Sequence, residues 1–315
     1  MIDAIKSQLD NTLEKLDLKI SDDHYSGKVR ENFYLDDQIV MVTSDRVSAF
    51  DHILGTIPFK GQILNEIACF WFNKTKDIVP NHFVSSPDEQ VLITKKAKTL
   101  PVEVIVRQYI TGSLWREYKQ GINGQYGFML PDNLKENQEF ETPILTPSTK
   151  AEYGLHDEPI SREKIIESLV DEDIYKKAEE YALALFDAGQ KWANKMGLIL
   201  VDTKYEFGIY DNELIVIDEI HTPDSSRYWV KDEYEDRFDK GIKQKMLDKE
   251  NIRQWLIDKG FQGEGTPPEL SDDIRILLSE KYMELYKKLL GQDFNPSVGN
   301  VSDRIKKNLS SIDLL

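Results

Sequence analysis

The clearest hydrophobic pattern in the chain lies at residues 198–208. Leu198-Ile199-Leu200-Val201 is an unbroken apolar run, after which Asp202-Thr203-Lys204-Tyr205-Glu206-Phe207-Gly208 alternates strictly. The run predicts a buried strand. The alternation predicts that Asp202, Lys204 and Glu206 share one face while Thr203, Tyr205 and Phe207 pack on the other. Acid, base and acid in a row at the end of an apolar strand are costly unless they hold something charged, such as a metal or phosphates. A turn at Asp211-Asn212 predicts a hairpin into a second strand over 213–220, whose end carries Asp218.

Elsewhere the pattern predicts a short amphipathic helix at the N-terminus (Ile5, Leu9, Leu13, Leu16) and strands over 27–35 and 38–43 around Asp36-Asp37. An apolar helix over 63–74 follows, then strands over 90–95 and 102–107. A short helix over 113–119 opens a change of character. Residues 121–161 are rich in Gly, Pro, Asn and acids, a length that marks a functional or a disordered loop. A helix over 173–196 carries the stripe Ala178, Tyr181, Leu185, Ala188, Trp192, and the tail adds helices over 249–259 and 272–290. The order predicts an α+β fold in two lobes: an N-terminal antiparallel sheet lobe (1–110) and a larger α+β lobe (111–315), divided near residues 107–112.

Composition narrows the function classes. The 315 residues carry a formal charge of -16, which argues against nucleic acid or an anionic membrane as a partner. Anionic small molecules stay open provided cations gather locally. The single cysteine, Cys69, excludes an internal disulfide and a cysteine metal cluster, and its apolar helix reads it as a packed thiol. No apolar run approaches ~18 residues and the N-terminus lacks a signal-peptide core, so the expected location is the cytoplasm. The five histidines (His24, His52, His82, His156, His221) have no metal-ligand spacing.

Four segments can carry chemistry. In the 198–220 hairpin, Glu206 and Asp218 share a face only if the connecting loop is odd in length or bulged; a two-residue turn sends them to opposite faces. The same-face arrangement is expected, with a magnesium ion relieving the repulsion between the two carboxylates. Two solvated strand ends with unrelated acids are the alternative. In Thr222-Pro223-Asp224-Ser225-Ser226-Arg227, Asp224 is a turn acid or a site acid, and Arg227 holds an anion or a structural salt bridge. In Leu100–Ser113, Gly112-Ser113 opens a helix N-terminus beside Arg107, an anion site or a simple cap. In Gly27-Lys28-Val29-Arg30, two cations on one face suit phosphate oxygens. Nucleotide loops of the Gly-x-x-x-x-Gly-Lys-Ser/Thr and Gly-x-Gly-x-x-Gly types are absent.

Together these segments resemble the SAICAR synthetases (phosphoribosylaminoimidazole-succinocarboxamide synthases) of purine biosynthesis, in their longer form. Ser44-Asp45-Arg46-Val47-Ser48-Ala49-Phe50-Asp51, Leu145-Thr146-Pro147-Ser148-Thr149-Lys150-Ala151-Glu152 and His156-Asp157-Glu158 extend the match along nearly the whole chain. The resemblance implies ATP-dependent joining of L-aspartate to the carboxylate of carboxyaminoimidazole ribonucleotide, giving SAICAR, ADP and phosphate. It implies ATP as co-substrate, lying between a small lobe like that of kinases or ATP-grasp enzymes and the larger lobe. It further implies that Lys28, Arg30, Lys150 and Glu206 bind ATP and that Glu206 and Asp218 hold Mg²⁺. Arg107, Ser113, Asp224 and Arg227 would bind the ribonucleotide, while Asp202 and Lys204 orient the imidazole and neutralise charge. Asp45 and Ser48 are the expected aspartate pocket, and a monomer is the expected state. A small-molecule kinase would use the same acids and cations but need no aspartate. A silent nucleotide-binding module would not keep them all.

Overall fold

The computed structural model describes residues 1–50, 52–150, 157–247 and 250–315. Asp51, Ala151, Glu152 and His156, which carry part of the resemblance, lie outside them. After helix α1 (Ile2–Gln8) come strands β1 (His24–Ser26), β2 (Arg30–Tyr34), β3 (Gln38–Thr43), β4 (Arg46–Ala49) and β5 (His52–Thr56), then α2 (Lys60–Thr75). Next are β6 (Phe83–Asp88), β7 (Val91–Lys95), β8 (Lys98–Tyr109), α3 (Gly112–Lys119), β9 (Glu139–Leu145) and β10 (Ser148–Thr149). The second half runs α4 (Arg162–Ser168), α5 (Glu172–Lys195), β11 (Leu198–Tyr210), β12 (Glu213–Ile217), β13 (Ser226–Val230), α6 (Tyr234–Asp239), α7 (Glu250–Asp258), α8 (Asp272–Leu290) and α9 (Val301–Ser310).

The fold is mixed α and β with antiparallel sheets. One sheet has the order β1-β2-β3-β7-β6. The other has β10-β8-β11-β12, with β13 also on β11 and β9 also on β8, while β4 and β5 form a separate hairpin. Strand β11 is central because its apolar residues are buried on both sides: Leu198, Leu200 and Val201 are fully buried, as are Tyr205 and Phe207. Helix α5 covers it. Asp171 caps that helix by accepting from the amides of Asp173 (3.0 Å) and Ile174 (3.3 Å). Its buried positions Tyr175, Ala178, Ala182, Leu185, Phe186, Gly189 and Ala193 recur every three or four residues, the spacing of one helix face.

Three expectations change. A division at 110/111 would place β8 with the first sheet, yet β8 pairs along its length with β11, from Arg107↔Asp202 to Lys98↔Ile209. The sheets therefore part at residues 96–97, between β7 and β8. One apolar cluster nonetheless runs from Ile5 and Met41 through Val104 and Tyr205 to Leu289, so both sheets share a core. The described residues of the 121–161 segment are largely irregular but not bare, since Tyr126 and Leu130 pack with Ile110 and Leu114 in a small core of their own. The second hairpin strand ends at Ile217 rather than 220, because Asp218 adopts a left-handed φ of 66° and turns the chain out of the sheet.

Candidate active site

Two rows of charged side chains cross the second sheet on the face that β11 presents through Asp202, Lys204 and Glu206. In the first row Asp202 pairs with Arg107 of β8 on one side and Arg227 of β13 on the other. Directly opposed antiparallel residues project to the same face, so three strands bring arginine, aspartate and arginine into line. Asp202 Oδ2 accepts from Arg107 Nη1 at 3.0 Å and from Arg227 Nη1 at 2.9 Å. Arg107 Nε also donates to Thr146 Oγ1 (2.8 Å), and its Nη2 to Ser113 Oγ (3.4 Å). Gly112 makes this possible. A Cβ there would stand 2.6 Å from Arg227 Nη2, and its φ of +61° already disfavours other residues.

The second row lies four residues on, where Glu206 pairs with Glu103 of β8. Opposed like charges repel, and Lys204 resolves this by donating from Nζ to Glu103 Oε1 (2.7 Å) and Glu206 Oε1 (2.6 Å). Lys150, just past β10, also pairs with Glu206. Burial alone would raise the Glu206 carboxyl, but the two ammonium groups outweigh it and hold Glu206 well below the usual carboxylate range. Glu103, pushed up by burial and by Glu206 against the pull of Lys204, titrates above its ordinary value. Burial opposes the charge on Lys204, yet Glu206, Glu103 and Asp218 together raise it well above a free lysine.

Asp218 reaches this cluster by a route other than the one expected. The loop is a two-residue turn with Asp211 and Asn212 both left-handed, and the register sets Glu206 opposite Ile217. Sheet register alone would send Asp218 to the far face. Its left-handed backbone overrides the register, and Arg30 of β2 pairs with both Asp218 and Glu219. Asp218 also acts on the charges of Lys150 and Lys204, which ties it to the Glu206 row without any odd loop or bulge. Among the described residues, no three acids, histidines or cysteines stand close enough to hold a metal unaided.

The face opens on a cavity of about 670 Å³. Its wall brings together Lys28, Ser48, Arg107, Ser113, Asp202, Lys204, Asp224 and Arg227 of the predicted residues. Arg30, Lys150, Glu206 and Asp218 do not line it but form the adjoining acid-rich cluster. The wall also holds Arg116 and Arg253, giving six cations (Lys28, Arg107, Arg116, Lys204, Arg227, Arg253) against Asp202 and Asp224. That local excess answers the objection posed by a chain of charge -16. Asp224 is anchored from behind: its carboxylate accepts from Lys60 Nζ (2.9 Å), which is fully buried, and from Tyr282 Oη (3.1 Å).

Asp45 needs correction. It is fully buried and absent from the cavity wall; its carboxylate accepts from the amides of Leu13 (2.7 Å) and Gly61 (2.9 Å). It holds the start of α2 in place. Burial raises it to about 6 despite those two bonds. Sequence reasoning missed Glu103, although a lone acid inside Val102-Glu103-Val104 was a signal, and it missed Lys60, whose helix starts three residues before the predicted boundary. Arg116 and Arg253 read as ordinary helix-surface charges.

Arginines of two strands that share one aspartate, with a cation-balanced acid cluster beside them, suit an enzyme that handles negatively charged reactants. Residues 23–268 match the model of the SAICAR synthetase family. A phosphoribosylaminoimidazole-succinocarboxamide synthase of Bacteroides fragilis is 48% identical over 291 residues, covering 90% of this chain and 93% of that protein. The solved SAICAR synthase of Saccharomyces cerevisiae complexed with SAICAR aligns with a TM-score of 0.79 and 35% identity, over 90% of this chain and all of that one. A SAICAR synthetase solved in complex with ADP aligns with a TM-score of 0.66 and 28% identity, over 87% and 100%. The chain belongs to the SAICAR synthetase family. Its activity is ATP-dependent joining of L-aspartate to the carboxylate of carboxyaminoimidazole ribonucleotide, giving SAICAR, ADP and phosphate.

Proposed function

We propose that the two charged rows divide the reactants between them, with the ribonucleotide in the 670 Å³ cavity and ATP on the side of the acid cluster. The observation that carries this is the Arg107–Asp202–Arg227 line beside Gly112-Ser113. Asp202 holds two guanidinium groups through one carboxylate oxygen, which brings enough donors together to take a phosphate by several charge-assisted bonds. Ser113 adds a hydroxyl at the start of α3. The imidazole and its carboxylate then extend toward Lys204, whose ammonium neutralises charge as the carboxylate is activated by the γ-phosphoryl group of ATP. The amine of aspartate displaces phosphate from the activated carboxyl to form the amide. Ser48 lies on the cavity wall where the aspartate would enter, and Asp224 positions the 222–226 turn.

The two sheets act as two lobes, with Lys28 and Arg30 of the first reaching ATP phosphates from above the second. Glu206 and Asp218 suit Mg²⁺: they are hard oxygen donors, Glu206 is held ionised, and both already attract cations. Two carboxylates without a third fit an ion that completes its shell with water and phosphate oxygens. When bound, Mg²⁺ would neutralise the phosphates of ATP. Lys150 exchanges Glu206 for a phosphate oxygen as ATP enters. We take the enzyme to work as a cytoplasmic monomer; no described helix is long and apolar enough to cross a membrane.

The test is ADP release with the ribonucleotide and each of several amino acids. Aspartate should stimulate strongly and glycine or glutamate hardly at all. Equal stimulation by all three would dismantle the assignment of the cavity.

A further inference from the structure

Arg46 opens β4 and is only 4% exposed, yet it is absent from the cavity wall. Its guanidinium is spent on the Gly27–Arg30 turn. Nε donates to the carbonyl of Lys28 (3.0 Å), and Nη2 to those of Gly27 (2.9 Å) and Arg30 (3.4 Å). Nη1 donates to Glu31 Oε1 (2.6 Å) and to the carbonyl of Glu14. Glu31 is itself fixed by His24 Nε2 (2.9 Å) and Ser26 Oγ (3.0 Å). Ser44 completes the set, since its amide (2.9 Å) and hydroxyl (2.8 Å) both donate to the carbonyl of Val29.

The carbonyls of Gly27, Lys28, Val29 and Arg30 are therefore all engaged by Arg46 or Ser44. A trans peptide points its C=O and the following N–H to opposite sides. Drawing the carbonyls of residues 27–29 toward Arg46 and Ser44 turns the amides of Lys28, Val29 and Arg30 away from them. We propose that Arg46 is a positioning residue for ATP: it shapes the Gly27–Arg30 turn so that three amides and the cations of Lys28 and Arg30 converge on the phosphates. Successive amides facing one way form an anion-binding concavity, here without the glycine-rich spacing of the common nucleotide loops. Only arginine supplies a planar fork for so many acceptors; lysine keeps the charge but loses the geometry. The proposal rests on the reading of this turn as the ATP phosphate site.

The experiment compares Arg46→Lys and Lys28→Ala by calorimetric binding of Mg·ATP and of adenosine, with KM for the ribonucleotide and aspartate and thermal unfolding alongside. Arg46→Lys should weaken ATP binding about 30-fold while adenosine and both KM values stay within about twofold. If Lys28→Ala weakens ATP and Arg46→Lys does not, the role of Arg46 is refuted while the turn keeps its ATP assignment. If neither variant weakens ATP, the assignment itself falls and takes the proposal with it. Proportional loss for ATP, adenosine and ribonucleotide would mark a general structural role and refute positioning. Should Arg46→Lys not fold, Ser44→Ala removes one of the two bonds to the Val29 carbonyl. A loss of about threefold for ATP alone supports the proposal, and no loss refutes it.

Discussion

The two ends of the charged face of β11 share one backbone and one alternation but solve the cost of buried charge in opposite ways. At the 202 end a single acid serves two arginines, leaving a formal surplus of one positive charge. At the 206 end Glu103, Glu206, Asp218 and Glu219 outnumber Lys150, Lys204 and Arg30, leaving one negative. On the proposed reading, the first end takes an anion and the second a cation that brings anions with it. Lys204 stands between them. A chain of charge -16 can thus gather anionic reactants, because field strength in a cleft is set by the nearest groups and not by the sum.

Breaking the acid end should do the most damage. Glu206→Gln leaves Lys204 and Lys150 without their shared carboxylate and removes a proposed metal ligand, so kcat should fall by about a thousandfold or more. Asp218→Asn, farther from Lys204, should cost about a hundredfold with the fold retained. Steady-state rates across a Mg²⁺ titration, with circular dichroism as a control, check both. Near-normal Mg²⁺-dependent turnover in either variant would strike that residue from the site.

Breaking the cation end should instead show in substrate affinity. Arg227→Lys loses the fork but keeps the charge, and KM for the ribonucleotide should rise about a hundredfold with kcat changed by less than about fivefold. Gly112→Ala should raise the same KM about tenfold, because the new methyl group displaces Arg227 without touching the substrate. If Arg227→Lys lowered kcat and spared KM, the two ends would have to exchange their assigned reactants.

The contrast between the ends was only partly legible in the chain. The alternation of Asp202, Lys204 and Glu206 is local, and strand periodicity reads it directly. The row through Arg107 and Arg227 needs the strand order β8-β11-β13, a long-range fact, and β13 itself hid behind a turn signal at Pro223-Asp224-Ser225. Asp218 shows the limit of register. The two-residue turn was visible in Asp211-Asn212, but no local pattern announces the single left-handed residue that reverses its consequence. Asp45 sat in a resembling motif and was drawn into the site with its neighbours, whereas its partners, the amides of Leu13 and Gly61, lie 32 and 16 residues away.

The smallest effect separates the charged face from the layer beneath it. Behind Glu206 lies Tyr205, whose hydroxyl meets His221 Nε2 at 2.5 Å, and burial lowers His221 to about 3. His82, beside Asp218, is likewise lowered to about 3 by burial and by Arg30. A histidine that refuses protons when folded but accepts them near pH 6.5 when unfolded gives stability that is complete above that value and lost as pH falls toward 3. Glu206, held below the carboxylate range, gives stability that is complete above its unfolded value of 4.5 and lost only at lower pH. Asp45, Glu103 and Glu219 are raised and pull the other way, so the informative quantity is the difference between variant and parent. His221→Asn should flatten the stability profile between pH 6.5 and 4.5 by about 1.4 kcal/mol per pH unit, and Glu206→Gln should flatten it only below 4.5. Denaturant unfolding at half-unit pH steps resolves the two windows. A Glu206→Gln effect between pH 6.5 and 4.5 would mean that the charged face and the neutral layer titrate as one system, and the separation drawn between them would not stand.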